Sequence, residues 1–117
     1  MALQPTNVVL VLTTIPLDLD ADRFARALVT ERLAACVSVL APMASTYHWQ
    51  GTVESASERQ VLMKTTAGRV AALEARVAEL HPYDVPELLV VPLSGGGDGY
   101  LDWVVGEVRG EKVKSEK

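Results

Sequence analysis

Val8-Val9-Leu10-Val11-Leu12 is a continuous apolar run, largely β-branched, with no alternation between faces. A strand of that kind is buried on both faces and belongs in the middle of a sheet, so the rest of the chain must supply strands on either side and cover for the faces. Pro16 and Asp18 end the run. Asp18, Asp20 and Asp22 suit the opening turn of a helix, where free backbone N–H groups and the helix dipole favour carboxylates. Ala21, Phe24, Ala25 and Leu28 then recur at i, i+3, i+4 and i+7, and the pattern predicts a helix reaching to near Ala35 with one apolar stripe against the sheet.

From Cys36 to Trp49 the chain reads as a long strand interrupted at Pro42, which lacks the N–H a ladder needs and so marks a bulge or an edge. Gln50-Gly51 is a tight turn into a second long strand, Thr52 to Thr66, whose segment Glu54 to Gln60 is too polar to pack wholly on the subunit's own core. A helix follows from about Gly68 to Leu80, with Val70, Leu73, Val77 and Leu80 on one stripe, and Pro82 forbids its continuation. Leu88 to Leu93 is an apolar strand, Gly95-Gly96-Gly97 a flexible turn, and Tyr100, Leu101, Val104, Val105 and Val108 mark a closing amphipathic helix.

Strand, helix, strand, strand, helix, strand is a duplicated βαβ pattern. It predicts the α+β class: a ferredoxin-like βαββαβ sandwich with an extra C-terminal helix and a long hairpin between the second and third strands. One domain over 1–110 is expected, with 111–117 as a flexible C-terminal tail. Both main helices fall on one face of the sheet, so the other face and the hairpin's edge need covering. That points to a homo-oligomer whose subunits pair sheet edges.

Composition narrows the partners. The 117 residues carry a net charge of -4 with no basic stripe, so nucleic acid is not expected. A membrane is not expected either, because no apolar run approaches the roughly 20 residues a bilayer requires, and no basic-then-apolar leader opens the chain. The single cysteine, Cys36, sits among Ala34, Ala35 and Val37 and fits a reduced, cytoplasmic setting. Only 5% of residues are aromatic, and five of the six lie in three short segments around Tyr47 and Trp49, Tyr83, and Tyr100 and Trp103.

Two side chains have metal chemistry. His81 ends the second helix, and Cys36 is a soft potential partner, a pair that suits copper or zinc. The same two residues also fit a helix cap and a buried apolar thiol, or a thiol nucleophile with its base. A site within one chain would be incomplete, with Asp84, Glu58 and His48 as candidates to finish it. Glu58 and Lys64 share a strand face about 20 Å apart at ~3.3 Å per residue, so each suits a different wall of a cleft between subunits. Gly95-Gly96-Gly97 lacks the lysine and spacing of a phosphate loop, and catalysis is not expected.

Glu31-Arg32-Leu33-Ala34-Ala35-Cys36-Val37, Ser45 with Tyr47, Trp49 and Gly51, Lys64-Thr65-Thr66, His81-Pro82-Tyr83-Asp84-Val85-Pro86-Glu87 and Tyr100-Leu101-Asp102-Trp103 occur together in one order and spacing. With them the chain resembles the CutA divalent-cation-tolerance proteins. The resemblance implies a non-enzymatic homotrimer, similar in architecture to the P-II signalling proteins. It implies a role in the response to and tolerance of divalent metal ions, with copper or another divalent metal as cofactor. It also implies intersubunit clefts bordered by Tyr47, Trp49, Tyr83 and Trp103, beside Glu58 and Lys64. In the family's copper pattern the ligands are a cysteine ending the first strand and two histidines before the Pro-Tyr step. Here those positions are Thr13, Leu80 and His81, leaving His81 and Cys36 as the metal candidates. A small-molecule or anion sensor using the cleft is the alternative function, and an assembly scaffold a third.

Overall fold

A computed structural model describes residues 6–110. The tail expected over 111–117 lies outside them. Four strands, β1 (Val8–Pro16), β2 (Cys36–Trp49), β3 (Thr52–Thr66) and β4 (Leu89–Pro92), form one sheet in the order β2-β3-β1-β4 with every neighbouring pair antiparallel. Three α-helices, α1 (Ala21–Thr30), α2 (Val70–Leu80) and α3 (Asp98–Arg109), complete the chain, α2 being entered through a 3₁₀ turn at Ala67–Arg69.

The core follows from alternation. Val9, Val11 and Ile15 of β1 and Val61 and Met63 of β3 share one face, and Phe24 and Leu28 of α1 with Leu73 and Val77 of α2 pack on it. Asp20 caps α1 by accepting the Arg23 amide at 3.1 Å. That helix ends at Thr30, five residues before the expected Ala35. Arg32 adopts φ 59°, which no helix continues through, and the Leu33 and Ala34 amides turn back to the Leu28 carbonyl. The opposite face is only partly open, because α3 lays Val104 and Val108 over Val8 and Ala35 at one end of the sheet.

Beyond the core the β2–β3 hairpin projects as an arm. The described residues span 49 × 29 × 25 Å with a radius of gyration of 15.3 Å, against about 13 Å for a compact chain of about 100 residues. At the arm's tip Gln50 and Gly51 both take positive φ, 50° and 82°. A two-residue turn needs that pair to match the twist of its strands. Gly51→Val is therefore expected to destabilise by roughly 1–2 kcal/mol, the penalty of a left-handed β-branched residue. Urea unfolding measures it, and an unchanged midpoint would contradict the turn.

Candidate functional site

Pro42 shapes the site from a distance. Cys36 pairs with Lys64 and Ser38 with Leu62, but after Val39↔Val61 the register jumps to Pro42↔Arg59, one extra residue on β2. Such a bulge shifts side-chain alternation by one. Even-numbered residues of β2 share a face with Lys64 and Leu62 before it. After it the odd-numbered ones do, so Ser45, Tyr47 and Trp49 join Glu54, Ala56 and Glu58 on that face.

The segment between α2 and β4 forms the facing wall, and the end of β1 holds it in place. The His81 ring is buried, 6% exposed, with Nε2 2.6 Å from the Thr14 carbonyl, while Nδ1 accepts the Tyr83 amide at 3.1 Å. Accepting at Nδ1 assigns the proton to Nε2, so the ring is a neutral strut with both nitrogens engaged. Thr13 Oγ1 donates to the Glu87 carbonyl at 2.6 Å, and Gln60 Nε2 donates to the Thr13 carbonyl at 2.7 Å. The Tyr83 ring lies tilted against His81 with centroids 4.7 Å apart.

Between arm and segment lies an open pocket of about 740 Å³. Tyr47, Trp49 and Tyr83 line it with four carboxylates, Glu54, Glu58, Asp84 and Glu87, and no Lys or Arg side chain does. Burial, then the Glu58 carboxylate and then the Tyr47 phenol and Asp18, pushes the Tyr83 hydroxyl above its ordinary value. It therefore stays a neutral donor in neutral solution.

Four of the six residues expected at a cleft, Tyr47, Trp49, Glu58 and Tyr83, thus meet around one pocket. Lys64 and Trp103 lie elsewhere. Lys64 Nζ donates to Ser38 Oγ at 3.1 Å and stands 3.8 Å from Cys36 Sγ. Trp103 packs with α3 beside Tyr100, ring centroids 5.5 Å apart. The Tyr100 phenol is itself pushed up by burial and by the nearby Cys36 thiol, which places all of these side chains at the α3 end of the sheet. Cys36 and His81 do not share a site within the subunit. Their strand partners on β3 and β1 are four ladder positions apart, about 13 Å. Among the described residues no three His, Cys, Asp or Glu side chains converge as a metal site. Glu54 and Glu87 were not among the expected site residues. Alternation does pair Glu54 with Glu58, four residues along one strand, but nothing in sequence brings Glu87 to them.

The family model for "CutA1 divalent ion tolerance protein" matches residues 9–107. The chain belongs to the CutA1 family. A divalent-cation tolerance protein CutA from Pectobacterium atrosepticum is 44% identical over 103 residues, 88% of this chain and 94% of that one. The crystal structure of CutA from Xylella fastidiosa superposes with a TM-score of 0.84 at 44% identity, covering 88% of this chain and 99% of that one. A structure titled PII-like protein CutA, from Nostoc sp. PCC 7120, gives 0.79 at 36% identity, covering 86% and 96%. The ferredoxin-like sandwich expected from the order of elements is therefore that of the CutA1 structures. This family is one of divalent-cation tolerance rather than a known enzyme family.

Proposed function

We propose that this CutA1-family chain works as a cytoplasmic homotrimer in the response to and tolerance of divalent metal ions. The observation that carries the reading is the family match across residues 9–107. Two features of the subunit support assembly. The outer edge of β2 and the edge of the short β4 carry no further strand among the described residues, and Leu89, Val90 and Val91 of β4 are exposed. Unpaired strands with apolar side chains invite pairing with another copy. No helix among the described residues is long and apolar enough to cross a membrane.

Copper is the proposed metal, bound weakly and through Cys36. That thiol is half-buried and its softness suits Cu(I), whereas His81 would have to release the Tyr83 amide to offer a lone pair. Anaerobic titration of the purified oligomer with Cu(I), Cu(II) and Zn(II) tests this. Saturable Cu(I) binding lost in Cys36→Ser and retained in His81→Ala is the expected result. No saturable binding, or binding indifferent to both changes, removes metal recognition from the account. Light scattering on the same sample should give three times the 12.6 kDa subunit mass, and a stable monomer ends the trimer reading.

A second reading, a P-II-like sensor of a small molecule, is favoured by the pocket of about 740 Å³, a volume within the roughly 300–1,000 Å³ of small-molecule sites. An anionic ligand is disfavoured there, since the lining side chains include carboxylates and no cation.

A further inference from the structure

The pocket has a single charge bias, and one of its carboxylates separates it from an ordinary acidic surface. Glu58 is only 9% exposed, yet it lines the pocket. Among the described residues its carboxylate takes part in no hydrogen bond and no ion pair. Neither of its oxygens is sealed from the pocket, because no fully buried side-chain oxygen is left without a partner. The residue is held in place by its burial while its carboxylate, with no donor beside it, is left available to a positive group arriving through the pocket. The Tyr83 phenol is its neighbour, with the Tyr47 phenol next to Tyr83 in turn, and both rings line the pocket.

The kind of cation follows from what the walls lack and what they offer. A bare divalent ion needs several hard oxygen ligands converging within about 2.0–2.6 Å of one point. The carboxylates here do not converge in that way, and the space is many times the size of an ion. Aromatic faces beside an unpaired carboxylate instead recognise alkylammonium groups, which the rings attract through their quadrupoles and which shed water easily. The geometry points to an organic ammonium cation as the ligand of this pocket, with Glu58 as its counter-ion and the neighbouring Tyr83 as the ring it rests against. This rests on the sensor reading and gives that sensor its ligand class.

Calorimetric titration of the native oligomer with tetramethylammonium, with its neutral near-isostere tert-butanol and with inorganic phosphate tests the inference. Tetramethylammonium should bind saturably, tert-butanol roughly tenfold more weakly or worse, and phosphate not at all. Glu58→Gln, with elution volume and unfolding midpoint at the parent values, and independently Tyr83→Leu, with elution volume at the parent value, should each weaken tetramethylammonium by roughly tenfold. Equal binding of tert-butanol would reduce the pocket to an apolar cleft. Phosphate binding, or an intact oligomer blind to tetramethylammonium because a neighbouring subunit fills the space, would overturn the assignment. Because light scattering reports assembly separately, an intact trimer that ignores tetramethylammonium but binds another metabolite sinks this inference alone. One that binds no small molecule sinks the sensor reading as well.

Discussion

His81→Ala should lower folding stability by about 2–4 kcal/mol, because it strands two backbone groups at once. The Thr14 carbonyl loses its close partner at 2.6 Å, keeping only the Thr13 hydroxyl at 3.5 Å, and the Tyr83 amide loses its acceptor at 3.1 Å, in a place where the ring itself is only 6% exposed. Each buried group left unpaired costs about 1–3 kcal/mol, and the space left by the ring admits water too poorly to repair both. The same change should loosen the 81–87 segment, so amide exchange at Tyr83 and Asp84 should rise. Urea unfolding of the apo protein measures the first effect and hydrogen exchange the second. A residue kept for metal ligation would behave otherwise. Its removal would leave the metal-free protein as stable as the parent, and a loss under about 0.5 kcal/mol would return His81 to the ligand candidates.

Leu28→Ala is expected to cost about 2–5 kcal/mol, the range for deleting a large aliphatic side chain from a core that cannot collapse around the gap. Leu28 is completely buried where α1 meets α2 and the sheet, against Val11, Met63, Leu73 and Val77 of the same cluster. Its backbone adds to the effect: the Leu28 carbonyl receives both the Leu33 and Ala34 amides and so fixes the turn into β2. Chemical denaturation with an unchanged m-value is the measurement. A loss below about 1 kcal/mol would mean that the two helices do not share one core with the sheet.

Most of the architecture is legible in the residue order. The unalternating run at Val8–Leu12 belongs to a strand flanked by β3 on one side and β4 on the other, and β2 and β3 begin and end at the residues that Pro42, Gln50-Gly51 and the apolar boundaries indicate. Helix α1 stops at Thr30 although Glu31 to Ala35 contains no Gly or Pro to announce an end. There Arg32 takes a left-handed conformation, which its side chain helps secure by donating from Nη1 to the Glu107 carbonyl at 2.7 Å, 75 residues away.

The candidate site divides along the same line. The scarce aromatics fall in three segments of the sequence, and the fold brings Tyr47 and Trp49 of the first and Tyr83 of the second around one pocket while Trp103 of the third packs beside Tyr100 at the α3 end. Spacing along β3 already separates Lys64 from Glu58 on their shared face, but only the fold supplies what each one meets, Ser38 for Lys64 and the pocket for Glu58.

Residue types and their spacing were enough to determine the sheet, the helices, the projecting arm and membership of a family of motifs, since hydrophobic period, proline and glycine act locally. Tertiary structure alone decided which face each side chain of the arm presents and what surrounds it. The extra residue before Pro42 reverses alternation only relative to a partner strand. His81 becomes a strut only because the end of β1 brings it the Thr14 carbonyl. Glu58 is left without a partner only because the chain that folds around it covers most of the residue and brings no donor to its carboxylate. These are long-range relations between groups, and spacing along one strand does not contain them.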